Sequence, residues 1–385
     1  MLRTSRPFLL PAFALVLSLM VSGCDISNSN DKNDENAIEP PETYEFTRNG
    51  ESTVAYPGQT DRLDMVEAMK AYIATAHDGE TISEQALLDM FENTDGNGGG
   101  HFTFTSERQL KNKTFGPDLD ENLFEDFFAK AAAASENGEA DEGVPGLMRR
   151  GDGYILVDAK GREFTQLVEK GLMGAVFYNQ IFNVYLTNDR IGPNVENEAL
   201  REGTNYTDKE HHFDEAYGYF DAPVDFESDW PDSRTGELRF WSKYSNGSDP
   251  QLGFNDTIME AFIQGRTAII NDNQGKLEQQ VEVLYENLEL LAAATAVHYI
   301  NSTLSHWNEG NQGEAFHALS EAWAFVNALK YNPDKTITPG QIDQILNSDF
   351  GENGSFWNVT LDGLNNAKST LVDTYPDLEP VQDQL

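Results

Sequence analysis

His211-His212-Phe213-Asp214-Glu215-Ala216-Tyr217-Gly218-Tyr219 and, 106 residues further on, His317-Ala318-Leu319-Ser320-Glu321-Ala322-Trp323-Ala324-Phe325 carry one pattern. It reads His, three residues, Glu, Ala, an aromatic, a small residue, an aromatic. Residues four apart on an α-helix lie one above the other on a single face. Each copy therefore sets an imidazole beside a carboxylate, then adds a half-turn of small and aromatic residues suited to close helix packing. Recurrence of the pattern predicts a duplicated helical unit. If the copies face each other, two His–Glu pairs converge on one cavity.

The apolar period outside the repeats is also helical. Residues 61–76 place Leu63, Val66, Met69 and Ile73 at the 3–4 spacing of a half-buried helix, and 82–91 predict a shorter one. Residues 121–134 put Leu123, Phe124, Phe127 and Phe128 on an inner side. Residues 163–186 are apolar around much of their circumference, through Gly171-Leu172-Met173-Gly174-Ala175, which predicts a central helix. Residues 207–220 hold the first repeat and 312–329 the second. Residues 256–270, 275–307, 339–346 and 357–372 complete the set, with 275–307 the longest signal. Strand signals are few: Tyr154-Ile155-Leu156-Val157, bounded by Gly151-Asp152-Gly153 and Asp158, predicts a hairpin arm. Residues 96–100 and 223–249 read as loops. The expected class is all-α, with two related helical bundles from an internal duplication and minor β-hairpin and loop insertions. The halves span about 44–222 and about 250–385, share an interface and join through 223–249.

The amino terminus reads as a separate device. Arg3 and Arg6 precede an apolar run from Phe8 to Val21, and Val21-Ser22-Gly23-Cys24 closes it. The run is shorter than the ~20 residues a membrane span needs. It resembles a bacterial lipoprotein signal peptide, residues 1–23, whose cleavage leaves Cys24 as a lipidated first residue. Cys24 is the only cysteine, which removes disulfides, thiolate metal sites and cysteine nucleophiles. Residues 24–43 are polar with Pro40-Pro41 near their end and read as a flexible tether. The expected location is the cell envelope, lipid-anchored to the inner or outer membrane and facing the periplasm or the outer surface. Asp25 resembles the inner-membrane retention signal of enteric bacteria.

Composition excludes one class of partner. Lys and Arg number 26 against 65 Asp and Glu, a formal net charge of −39. Nucleic-acid binding needs a basic face, so no nucleic acid is expected. The acidity suits solubility in a saline habitat and attracts cations without selecting among them.

The repeats supply the candidate chemistry. Imidazole nitrogens and carboxylate oxygens together suit iron, zinc or manganese, and Glu/His motifs facing across a helical bundle are a known way to hold such ions. The candidate ligands are His211 or His212, Glu215, His317 and Glu321. Asp208, Asp214, Tyr217 and Glu314 are expected in supporting positions that orient the histidines, with Arg266 bracing the glutamates. A His and Glu four apart also form a simple ion pair that stabilises a helix by a few tenths of a kcal/mol. His298 and His306 read as helix surface, and His77 and His101 as residues near helix ends. Asn93-x-Asp95-x-Asn97-Gly98 opens like a calcium loop, but Phe104 stands where the loop requires a bidentate Glu. No His-Glu-x-x-His, Gly-x-Ser-x-Gly or phosphate-loop motif occurs.

His212-Phe213-Asp214-Glu215 resembles the His-x-x-Glu signature of the imelysin-like proteins. Lys170-Gly171-Leu172-Met173-Gly174-Ala175 and Leu319-Ser320-Glu321-Ala322 look like a bacterial lipoprotein domain of that group. The likeness spans the mature domain, though the motif is short. Glu210 stands where the signature has Gly two residues before its His. The signature selects His212 while the internal repeat selects His211, and both stay open. The resemblance implies an envelope protein of two helical bundles tied to iron uptake, with a protein partner in a transport system.

These readings favour a membrane-anchored lipoprotein that captures a metal, iron first and zinc second, or a metal-bearing small ligand, and hands it on. A rival from another class is a metal-dependent hydrolase. His317, Glu321 and one of His211 and His212 would then hold the metal, with Glu215 as general base. The third reading is a protein-binding scaffold in which the pairs brace the bundle interface.

Overall fold

Residues Gln274–Asn308 form one uninterrupted helix of 35 residues, α9. The Asn273 side chain caps its start by accepting from the Lys276 amide at 3.0 Å, and after Gly275 in the first turn no Gly or Pro follows until Gly310. Its middle, Ala292-Ala293-Ala294-Thr295-Ala296, is buried on every side. Such small side chains let neighbouring helices approach closely. Two helices lie along it: α8, Phe254–Ile270, and α10, Gln312–Ala328. Helix α10 in turn packs on α4, Phe164–Leu172, and α4 on α1, Pro57–Ala74.

The computed structural model describes residues 37–114 and 122–385, and Ile38–Leu385 forms one compact unit around a shared apolar core. The segment expected to be a signal peptide, Cys24 and the greater part of the segment expected to be a tether lie outside the described residues. The chain is docked from Ile38 onward, where Asn271 exchanges two hydrogen bonds of 2.9 Å with the Ile38 backbone. Among the described residues no helix is long and apolar enough to cross a membrane.

The remaining helices are α2, Glu84–Glu92; α3, Asn122–Ser135; α5, Asn188–Ile191; α6, Asp208–Phe220; α7, Phe240–Leu252; α11, Pro339–Gln344; and α12, Leu361–Thr374. Strand content among the described residues is confined to two antiparallel hairpins, Thr47–Arg48 with Glu51–Ser52 and Gly146–Arg150 with Gly153–Val157. The predominantly helical class and the hairpin arm at Tyr154 are as the sequence implies. The predicted central helix 163–186 is present, but beyond Leu172 it widens into π-helical turns at Met173–Tyr178 and Ile181–Tyr185.

Two expectations are corrected. The segment 223–249 is not all loop, because α7 begins at Phe240: Trp241 is fully buried and stacks on Tyr178 at 3.7 Å between ring centroids. The last long helix starts at Leu361 rather than at 357, where the Thr360 side chain caps it by accepting from the Gly363 amide at 3.0 Å. Helix α4 of the first half packs directly on α10 of the second, and the architecture does not by itself display the duplication.

Candidate functional site

Helix α6 carries the first motif, and a capping box fixes its start. The Thr207 side chain accepts from the Glu210 amide, and the Glu210 carboxylate accepts from the Thr207 amide at 2.8 Å. With the helix set, His211 and Glu215 share a face, His211 Nε2 3.8 Å from Glu215 Oε2. Tyr206 stacks on the His211 ring at 4.7 Å. Burial pushes this imidazole below its usual range, with the Glu215 charge opposing. His212 turns away: its Nδ1 lies 2.8 Å from the Arg190 carbonyl and its Nε2 3.4 Å from Arg190 Nη1. Of the two histidines, His211 is the partner of Glu215.

Glu215 is the centre of a cluster the sequence did not indicate. Gln59 of α1 donates to its Oε1 at 3.0 Å and reaches the Tyr185 hydroxyl at 3.5 Å. One turn along α1, Arg62 donates to the Gly58 carbonyl and to the Gln109 carbonyl, each at 2.9 Å. Arg108 lies over Gly58, where a Cβ would come within 2.9 Å of its Nε. The Lys113 carbonyl accepts from Asn179 and Gln180 at 3.1 Å. Burial, with the charges of Arg62, Arg190 and Arg108, holds the Lys113 ammonium below the usual lysine range, and Glu215 opposes them. Three buried polar atoms here lack a well-formed hydrogen bond: His211 Nδ1, held only loosely by the Ala55 backbone, Tyr219 Oη, held only loosely by Arg62, and Gln180 Oε1. Burial raises the Tyr219 hydroxyl to about 12.

The second motif is built differently. His317 Nδ1 sits 2.6 Å from Glu163 Oε2, and His317 Nε2 3.5 Å from Glu321 Oε1. Glu163 is buried at the start of α4, where Thr165 hydrogen-bonds it and its amide contacts Ser320 Oγ at 2.8 Å. Burial alone would raise the Glu163 carboxyl, but the His317 hydrogen bond and charge, with Thr165, hold it below the usual range. Glu321 Oε2 is buried without a hydrogen-bond partner. His77, read from the sequence as a helix-end residue, lies near enough to Glu163 and His317 to feel both charges.

The two pairs do not converge. Helix α6 packs on α1, α5 and α8, and α10 on α9 and α4. Among the described residues no three His, Cys, Asp or Glu side chains are grouped so as to hold a metal ion. The expected donor set of His211 or His212, Glu215, His317 and Glu321 is therefore not assembled as one centre.

The supporting residues also take other partners. Arg266, fully buried, donates from Nε to Asp214 and from Nη1 to Glu210, each at 3.0 Å, and does not touch Glu215. Asp214 also accepts from the Tyr44 hydroxyl at 2.8 Å. Burial pushes its carboxyl up to about 6 against the pull of Arg266. Tyr217 stacks on Tyr44 and donates to the Ala222 carbonyl at 2.8 Å. Asp208 pairs at the surface with Arg201 at 3.5 Å, and Glu314 with Arg150 at 2.7 Å. Asn93 spends its side chain inside its own loop, accepting from the Gly98 amide and donating to the Ser106 and Arg108 carbonyls.

The molecule is thus a predominantly helical protein with two separate buried polar clusters, each centred on one His–Glu pair. Residues 41–376 match the model of a family described as a domain of unknown function, DUF4856, and the chain belongs to that family. No curated protein and no solved structure matches it significantly.

Proposed function

We propose that this protein is an envelope-anchored lipoprotein that captures a metal-bearing small ligand at the His211–Glu215 face and hands it on without chemistry. The observation that carries this reading is the set of under-satisfied buried atoms around Glu215: His211 Nδ1, Tyr219 Oη and Gln180 Oε1. Buried polar groups are nearly always hydrogen-bonded, so several under-satisfied ones on one face favour a place completed by a ligand. Lipid anchoring at Cys24 and kinship with the imelysin-like proteins belong to the same reading, supported by the terminal motif and by His212-Phe213-Asp214-Glu215.

The donors present do not fit a bare ion. His211 Nε2 and Glu215 Oε2 offer two ligands 3.8 Å apart, whereas zinc takes four and iron sites four to six. A ligand that arrives with its own donors needs no more than these. The test uses the compact unit Ile38–Leu385, incubated with ferric citrate, gel-filtered and analysed by inductively coupled plasma mass spectrometry. About one equivalent of iron is expected, lost in a His211→Ala, Glu215→Gln variant whose circular dichroism is unchanged. Absence of retained iron, or equal retention by the variant, rejects the metal-bearing ligand.

A further inference from the structure

We propose that the His211–Glu215 face recognises a small multivalent oxyanion, a polycarboxylate or a phosphate-bearing solute, either free or as the chelator of a metal. This rests on the reading of that face as the capture site and not on the ligand's metal. Carboxylates outnumber Lys and Arg by 65 to 26 over the chain, yet four cations gather near Glu215, with Asp61 turned to Ser106. Arg62 comes from α1, Arg108 and Lys113 from the segment after α2, and Arg190 from α5. Neither Arg108 nor Lys113 forms an ion pair among the described residues. Arg62 spends Nε and Nη1 on two backbone carbonyls, which fixes its plane, and it also faces the Tyr219 hydroxyl.

Like charges brought together repel, and the Lys113 ammonium is depressed first by its burial and then by Arg62, Arg190 and Arg108. Glu215 can neutralise one charge and is already hydrogen-bonded by Gln59. A ligand with two or more negative charges would relieve the rest. Arg forks suit carboxylate and phosphate oxygens, and a lysine adds a point charge. The Tyr219 hydroxyl, fully buried beside the Arg62 guanidinium, has no well-formed acceptor for its proton and is a neutral donor directed to the same cluster, close to Glu215 and Arg108. Four cations and a buried hydroxyl serve an oxyanion, whereas a bare metal ion would be repelled.

The test is isothermal titration of the Ile38–Leu385 unit, stripped with a chelator, against sodium citrate, sodium phosphate, ferric citrate and zinc chloride. Each titration is repeated on an Arg108→Ser, Lys113→Met variant, chosen because neither side chain is fully buried. Charge-assisted hydrogen bonds are worth about 1.5–3 kcal/mol each, so a loss of at least about tenfold in affinity is expected. Citrate or phosphate binding that falls by this factor, while the melting temperature of the variant holds, supports the oxyanion whatever the iron analysis shows. Ferric citrate binding that falls likewise, with metal-free anions inert, supports it with the chelate as source. Iron retention indifferent to the variant overturns the oxyanion and leaves the capture reading standing. No binding in any arm overturns both.

Discussion

At the scale of residues, the least expected arrangement is Arg266, a guanidinium with no exposure between two carboxylates that are themselves closed off from water. A buried pair of this kind stabilises little compared with apolar packing, but removing one partner strands the other charge. Arg266→Met should therefore destabilise the fold by about 3–5 kcal/mol in urea unfolding at pH 7. Arg266→Lys should recover only part, since one ammonium cannot reach Asp214, Glu210 and Thr53 together. Asp214 adds a pH signature. Its folded-state pKa of about 6 lies above the ordinary 3.8, so between those values the folded chain holds a proton that the unfolded chain has lost. Its contribution is greatest at or below pH ~4 and declines as pH rises towards 6. The drop in urea midpoint between pH 4.5 and 6.5 should be smaller in Asp214→Asn; an unchanged drop would assign the slope elsewhere. Sequence reasoning identified His211, Glu215, His317 and Glu321 because i,i+4 spacing is local. It could not find Glu163, which meets His317 across 154 residues, nor Gln59, which meets Glu215 across 156. Arg266 did stand out as a cation in an apolar run, but its partners were misassigned because Glu210 and Asp214, roughly 100–140° round α6 from Glu215, are the carboxylates that α8 faces.

At the scale of elements, helices whose apolar residues recur every three or four positions were legible to within a few residues: α1, α6, α9 and α10. Helix α7 was not, and its composition explains why. Ser245-Asn246-Gly247-Ser248-Asp249-Pro250 is turn-forming in isolation, so the helix depends on what its first turn buries. Phe240 packs edge-on against Phe177, and Trp241 lies between Tyr178 and Phe325 with its Nε1 donating to the Met173 carbonyl at 3.3 Å. Tertiary packing here overrides a weak propensity. Trp241→Ala should accordingly cost about 3–5 kcal/mol and make residues 223–252 the first site of limited proteolysis. Loss of stability without that local sensitivity would mean that α7 holds by other contacts. The π-helical turns at Met173–Tyr178 and Ile181–Tyr185 were likewise invisible. Their sequence has the apolar content of any buried helix, and the close approach of Ala328 and Tyr331 to Gly174 within them is a tertiary contact that no local pattern encodes.

At the scale of the whole molecule, the charge sets two salt dependences of opposite sign. With 65 acidic and 26 basic residues, the folded chain concentrates repulsion that unfolding relieves. Screening shortens to about 3 Å at 1 M salt from about 10 Å at 0.1 M, so added salt should weaken that repulsion. Surface pairs such as Lys130 with Asp126 and Arg234 with Asp225 are screened too, but exposed pairs contribute at most about 1 kcal/mol each. Repulsion therefore dominates, and the melting temperature of the Ile38–Leu385 unit should rise by at least about 2 °C between 0.05 and 1 M sodium chloride, the shift expected from roughly 1 kcal/mol in a chain this long. Over the same range the affinity for citrate should fall, because Arg62, Arg108, Lys113 and Arg190 attract the anion by charges that the salt also screens. A protein that grows more stable while its ligand binds more weakly separates the two fields: an acidic exterior acting on the fold, and a local basic cluster acting on the ligand. If both quantities instead moved together with salt, the cluster around Glu215 would have no field of its own, and the anion would be held, if at all, by hydrogen bonds alone.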